Sequence, residues 1–85
     1  MFYFYILRSK KDAKLYIGST NNLRKRFYEH NSRKVFSIRW RAPFNLVYYE
    51  AYLAEKDAID REHNIKLRAN ALTQLKRRLK YSLTQ

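Results

Sequence analysis

Phe2-Tyr3-Phe4-Tyr5-Ile6-Leu7, then Lys10-Lys11-Asp12-Ala13, then Leu15-Tyr16-Ile17: this opening stretch decides the fold. Residues 2–7 are aromatic or aliphatic at every position, which predicts a strand covered on both faces and therefore central in its sheet. The polar tetrapeptide is a turn, and Leu15-Tyr16-Ile17 is a second short strand, giving a β-hairpin. With the turn centred on Lys11-Asp12, residue i faces residue j when i + j is about 23, so Tyr5 faces Gly18 and Tyr16 faces Leu7. Residues two apart share a face, so both tyrosine hydroxyls project from one side of the hairpin. Tyrosine is also simply a good strand residue, and this chain has 8 of them.

Further along, Ser19, Thr20, Asn21 and Asn22 are all candidate caps for a helix over about 22–31, with Leu23, Phe27 and His30 on its inward stripe. Residues 32–42 are polar and basic, interrupted by Val35, Phe36, Ile38 and Trp40, and predict an irregular connection with a short extended piece. Pro43 introduces a third strand over 44–52. A helix over 54–66 turns Ala58, Ile59 and Ile65 inward, and a last helix over 69–80 carries Leu72, Leu75 and Leu79. The order β-β-α-β-α-α describes one α+β domain over residues 1–85, with no repeat or linker.

The net charge of +12 costs stability through self-repulsion, and a polyanionic partner compensates it. Aromatics at 16% exclude a disordered basic tail, which is poor in them. The lack of cysteine removes disulfides and thiolate metal sites and suits a reducing, cytoplasmic setting. No apolar run approaches the roughly 20 residues of a membrane span. Bases gather at Arg24, Lys25, Arg26, Arg33, Lys34, Arg39 and Arg41, and again at Lys76, Arg77, Arg78 and Lys80. Such residues contact phosphates without reading sequence. In the first cluster Phe36 and Trp40 are interleaved and can stack on bases. The second cluster reads equally as a solvated helix face.

A few residues suit chemistry. Gly18 is either a turn glycine or a place where backbone approaches a phosphate. Arg26 and His30 border the sheet, where arginine can brace a phosphate and histidine either packs or shuttles protons. Glu62 shares the buried stripe of Ala58, Ile59 and Ile65, while Asp60, Arg61, His63 and Asn64 take the outer face. A carboxylate aimed at a sheet needs a partner, either a buried arginine or Mg²⁺.

These residues resemble the GIY-YIG nuclease superfamily. Tyr3-Phe4-Tyr5 and Tyr16-Ile17-Gly18 resemble the two halves of its signature, and Ser19 through Arg26 and Arg61-Glu62 resemble its helix arginine and metal glutamate. The likeness is to small stand-alone bacterial members, through Tyr5-Ile6-Leu7-Arg8-Ser9, Leu15-Tyr16-Ile17-Gly18-Ser19-Thr20, Glu29-His30-Asn31 and Leu46-Val47-Tyr48-Tyr49-Glu50. Two departures stand out: Tyr3 occupies the first signature glycine, and Ser32-Arg33 stands where a Ser-Gly pair is expected.

The resemblance implies a three-stranded antiparallel sheet, first strand central, flanked by helices, with the active site on one sheet face. It implies Tyr5, Tyr16, Arg26, His30 and Glu62 as the catalytic set, with one Mg²⁺ or Mn²⁺ ion on Glu62. The implied activity is endonucleolytic hydrolysis of phosphodiesters in structured or damaged DNA, with RNA left open. Gly18, Arg24, Lys25, Arg33, Lys34, Arg39, Trp40, Arg41, Lys76 and Arg77 are the expected nucleic-acid contacts, no membrane partner is expected, and the chain is a monomer or weak homodimer. The rival reading is a non-catalytic basic module on the same fold. A metal on Glu62 within reach of Tyr5, Tyr16 and Arg26 favours the enzyme; an Arg61 or Lys66 salt bridge there favours the module. A protein-interaction surface on the Leu72–Leu79 stripe is set aside, because so small a domain needs that stripe for its core.

Overall fold

A computed structural model describes residues 1–84, with β1 (Phe2–Ser9) between β2 (Leu15–Thr20) and β3 (Phe44–Tyr52) in one antiparallel sheet. The hairpin register is the expected one: Tyr5 faces Gly18 and Leu7 faces Tyr16. Phe4, Tyr5, Ile6 and Leu7 are all at most 1% exposed, as a central strand covered on both sides requires.

The two-residue period of β1 divides the core. Phe4 and Ile6 pack with Ile65 of α2 (Glu55–Leu67) and with Leu75 of α3 (Ala69–Arg78) and Leu79 just beyond it. Tyr5 and Leu7 pack on the opposite face with Ile38, Ala42 and Phe44, alongside Leu23 and Phe27 of α1 (Leu23–Asn31). Of the four candidate caps for α1, Asn22 is the one used: its side chain accepts from the Lys25 amide at 3.1 Å.

The connection expected to be irregular is instead a 3-10 helix, Phe36–Arg41. Val35, Ile38 and Ala42 recur at intervals of three and four, so a tight three-residue turn puts all three toward Leu7 and Phe44. An extended piece would have alternated them between core and water. Nearby, Arg33 has φ 61, the left-handed region where glycine is at ease. The Ser32-Arg33 departure therefore leaves the glycine-type turn in place and puts a strained arginine in it, at a cost of about 1–2 kcal/mol.

The hairpin turn is built around buried Ser9, whose Oγ donates to the Arg41 carbonyl at 2.5 Å and accepts from the amides of Lys11 and Asp12. Arg41 completes the clamp, pairing with Asp12 at 3.2 Å and donating to the Leu15 carbonyl at 3.3 Å.

Candidate active site

Tyr5 and Tyr16 project from the α1 face, and His30 descends on them from the last turn of that helix. The Tyr16 and His30 rings lie 4.9 Å apart and those of Tyr5 and His30 5.9 Å apart. Tyr5 Oη stands 2.9 Å from His30 Nε2. His30 is 1% exposed and its Nδ1 has no partner among the described residues. Its ring also packs against Phe44, so the imidazole is held by three aromatic neighbours and one hydrogen bond.

Burial pushes the Tyr5 hydroxyl up to about 12, against the pull of the Arg26 guanidinium beside it, while the charges of Tyr16 and Glu62 add to the rise. Burial likewise pushes His30 down to about 4, and the positive charge of Arg26 adds to the drop. His30 is thus neutral at physiological pH, one nitrogen a donor and the other an acceptor. Folding disfavours its protonation, so its contribution to stability is full above its ordinary value of 6.5 and is lost as pH falls toward 4. This loss amounts to about 3 kcal/mol. Urea titrations at pH 7 and 4.5 are expected to show a steeper fall for the wild-type protein than for His30→Gln; carboxylate protonation is common to both, so parallel falls would contradict the assignment.

Gly18 carries no positive φ and lies inside β2, so neither a turn nor a helix start explains it. Its role is room: a Cβ there would stand 2.6 Å from Tyr5 Oη and 2.7 Å from Tyr5 Cζ. The bare glycine lets the Tyr5 ring lie across the edge strand.

Glu62 comes from the other side of the sheet. Ser19, opposite Phe4 and so on the α2 face, donates through Oγ to Glu62 Oε1 at 2.6 Å. Lys66, one turn on, donates to Oε2 at 2.5 Å. Burial raises the Glu62 carboxyl, but Lys66 and Ser19 outweigh it and hold the group below its ordinary value. The five implied catalytic residues therefore do not share one face. Four line the α1 side and Glu62 meets them around the β2 edge, close enough for its charge to reach the Tyr5 hydroxyl. A polar cleft at that edge is lined by Ser19, Thr20, Asn21, Asn22, Lys25, Arg26 and Glu29. Arg26 borders it, in loose contact with Glu29 at 3.6 Å.

Arg61 is not the partner of Glu62, nor does it take the outer face. It grips Glu50 with two bonds of 3.0 and 3.2 Å, and Tyr48 and Tyr52 donate to the same carboxylate. Its guanidinium lies over the Phe4 ring. The helical phase that turns Glu62 toward β2 also turns Arg61, on the adjacent position, toward β3. The salt bridge that does form on Glu62 is with Lys66. Among the described residues no three His, Cys, Asp or Glu gather as a metal cluster, and the groups a cation at Glu62 would meet are one carboxylate and the neighbouring Ser19 hydroxyl.

The expected phosphate contacts divide. Arg24 and Lys25 of α1, and Arg33 and Lys34 beyond it, are exposed. Arg39 is sandwiched by exposed Phe36 (3.8 Å) and Trp40 (4.5 Å), so the interleaved aromatics form a surface stack. Lys76 and Arg77 are exposed on α3, across the sheet from α1. Arg41 is spent on the hairpin turn. Sequence reasoning missed Ser19 as the support of Glu62, although the register that pairs Phe4 with position 19 already turns it to the α2 face.

A family profile described as the GIY-YIG catalytic domain matches residues 1–80. The chain is 45% identical over 67 residues to a UPF0213 protein of Clostridium perfringens, covering 78% of this chain and 71% of that one. It is 40% identical over 65 residues to a UPF0213 protein of Bacillus pumilus, covering 75% of this chain and 65% of that one. A solution NMR structure of a UPF0213 protein from Bacillus halodurans aligns over 100% of this chain and 95% of its own, with TM-score 0.58 at 31% identity. No helix among the described residues is long and apolar enough to cross a membrane.

Proposed function

Because this chain belongs to the GIY-YIG catalytic-domain family, whose members are nucleases, we propose that it is an endonuclease hydrolysing phosphodiester bonds in DNA with one divalent ion on Glu62. The observation that carries the reading is the Tyr5–His30 bond beside Arg26, facing the Glu62–Ser19 pair around the β2 edge.

A tyrosine pushed up to about 12 is a poor base by itself. The imidazole 2.9 Å away, kept neutral by burial and by Arg26, orients the Tyr5 hydroxyl, while the Arg26 guanidinium beside the same oxygen favours its charged form. These two partners, neither of which hydrogen-bonds the Tyr16 hydroxyl among the described residues, favour Tyr5 over Tyr16 as the residue that activates water. Arg26, beside the same hydroxyl, is placed to pair with a phosphate as its charge grows. A hard divalent ion fits Glu62, since Mg²⁺ is held by one or two carboxylates and fills its remaining positions with water and substrate phosphate oxygens. When bound, such an ion would stabilise charge on the leaving oxygen.

The Lys66–Glu62 bridge favours the second reading, a basic module that binds without cutting. Lys66 is 45% exposed on a flexible stem, so its ammonium is displaceable by a divalent cation. Incubation with supercoiled plasmid, flapped and branched DNA in Mg²⁺ or Mn²⁺ separates the two. Nicking that EDTA stops supports the nuclease; tight, salt-sensitive binding with no cleavage of any substrate supports the module.

A further inference from the structure

A second groove opens on the other side of the N-terminal end of α1 from the polar cleft. It has a volume of about 450 Å³ and is lined by Tyr3, Tyr49, Leu46 and Phe27, with Asn21 and Arg24 among its polar lining. That size suits a ligand no larger than a nucleotide. The Tyr3 and Tyr49 rings meet edge to face at 6.0 Å, and Tyr49 is 52% exposed although it sits in the sheet. Tyr3 occupies the first signature position, where the family signature has glycine, and its ring supplies half of this aromatic pair.

We propose that the Tyr3–Tyr49 groove holds an unpaired base of the nucleic acid whose backbone lies in the cleft beside Arg26, which makes the preferred substrate a strand with unstacked bases. The inference rests on the nuclease reading for the identity of the neighbouring phosphate site. Three observations carry it. The groove and the cleft share Asn21 and Asn22 as a common wall, so a nucleotide in one continues into the other. Tyr3 and Tyr5 lie on the same face of β1, about 6.6 Å apart along the strand. The rim is cationic and uncommitted: Arg24 and Lys25 are exposed and form no ion pair among the described residues, in a chain of net charge +12.

The chemistry matches a base more closely than an aliphatic ligand. Ring faces and edges stack on any base without reading its identity. The Asn21 side-chain amide forms no hydrogen bond among the described residues and offers both a donor and an acceptor to a base edge. A base inside a duplex is stacked on both faces and enters such a groove only after being flipped out. Flaps, gaps and sites of damage present the base already free.

The test is fluorescence anisotropy with a labelled single-stranded oligonucleotide and with a blunt duplex of the same sequence, both in EDTA so that nothing is cut. Tyr49→Ala and Tyr3→Ala are each expected to weaken single-strand binding about tenfold, with duplex binding changed less than twofold. Tyr49→Phe, which keeps the ring, is expected to bind like the wild type. Equal losses for both DNA forms, no loss for the single strand, or a Tyr49→Phe loss as large as that of Tyr49→Ala would overturn the proposal. So would sedimentation showing that Tyr49→Ala turns a dimer into a monomer, since the groove would then seat a second copy of this chain. Single-strand binding through the groove with no cleavage under Mn²⁺ would sink the nuclease reading alone, whereas cleavage with indifferent Tyr3 and Tyr49 variants would sink only the groove.

Discussion

Glu62→Gln is expected to lower divalent-ion-dependent nicking at least about a thousandfold while leaving the fold in place. Removing a metal's carboxylate forfeits several kcal/mol of transition-state charge stabilisation, and each 1.4 kcal/mol is about tenfold in rate. The fold survives because the amide oxygen of glutamine still accepts from Ser19 Oγ, the 2.6 Å bond that orients the group. What is lost structurally is the bridge to Lys66, a neighbour at i,i+4 whose side chain is 45% exposed. Such pairs contribute less than about 1 kcal/mol. Gel assays of plasmid nicking in Mn²⁺, paired with thermal melts, check both halves. Lys66→Met works in the opposite direction: without the competing ammonium, half-maximal nicking is expected at a lower Mn²⁺ concentration. Nicking that persists in Glu62→Gln would remove the ion from the mechanism.

Gly18→Ala is expected to damage both stability and activity through a single added methyl group. The added Cβ would stand 2.6 Å from Tyr5 Oη and 2.7 Å from Cζ, well inside van der Waals contact. Tyr5 is 1% exposed, and its ring packs against those of Tyr16 and His30, so it has no free direction in which to retreat. Overpacking and the broken Tyr5–His30 bond together cost about 2–4 kcal/mol. In a domain of this size that is a fall in Tm of about 10 °C or more. On the proposed mechanism, nicking is expected to drop about a hundredfold even at temperatures where the variant is folded, because Tyr5 loses the imidazole that orients its hydroxyl. A variant with wild-type melting and activity would show that Gly18 is needed for neither.

Much of this site is legible in the sequence because it sits on regular elements. The two-residue strand period and the Lys11-Asp12 turn place Tyr5 opposite Gly18, and the 3.6-residue period brings His30 inward with Leu23 and Phe27. The same helical period turns Glu62 toward the sheet, but the side of the sheet on which α2 packs does not follow from that phase. A site spread around the β2 edge was therefore out of reach. Arg61 fails in the same way: it lies next to Glu62 at the border of the buried stripe, and the Glu50, Tyr48 and Tyr52 groups that fix it belong to β3, a distant part of the sequence. Arg41 shows the limit of reading charge runs, since a basic residue in a basic stretch proves to be a clamp on Asp12 and the Leu15 carbonyl.

The sequence by itself determined the order of elements, the central strand, the hairpin register and the family, because each depends on neighbours a few residues apart or on short motifs. The tertiary structure alone decided who touches whom across elements. It paired Tyr5 with His30, Glu62 with Ser19 and Lys66, and Arg61 with Glu50, and it left the Tyr3–Tyr49 groove open. The reason is physical: local periodicity sets the direction in which a side chain leaves its own backbone, whereas its partner is set by how whole elements dock, a matter of burial and shape summed over the domain.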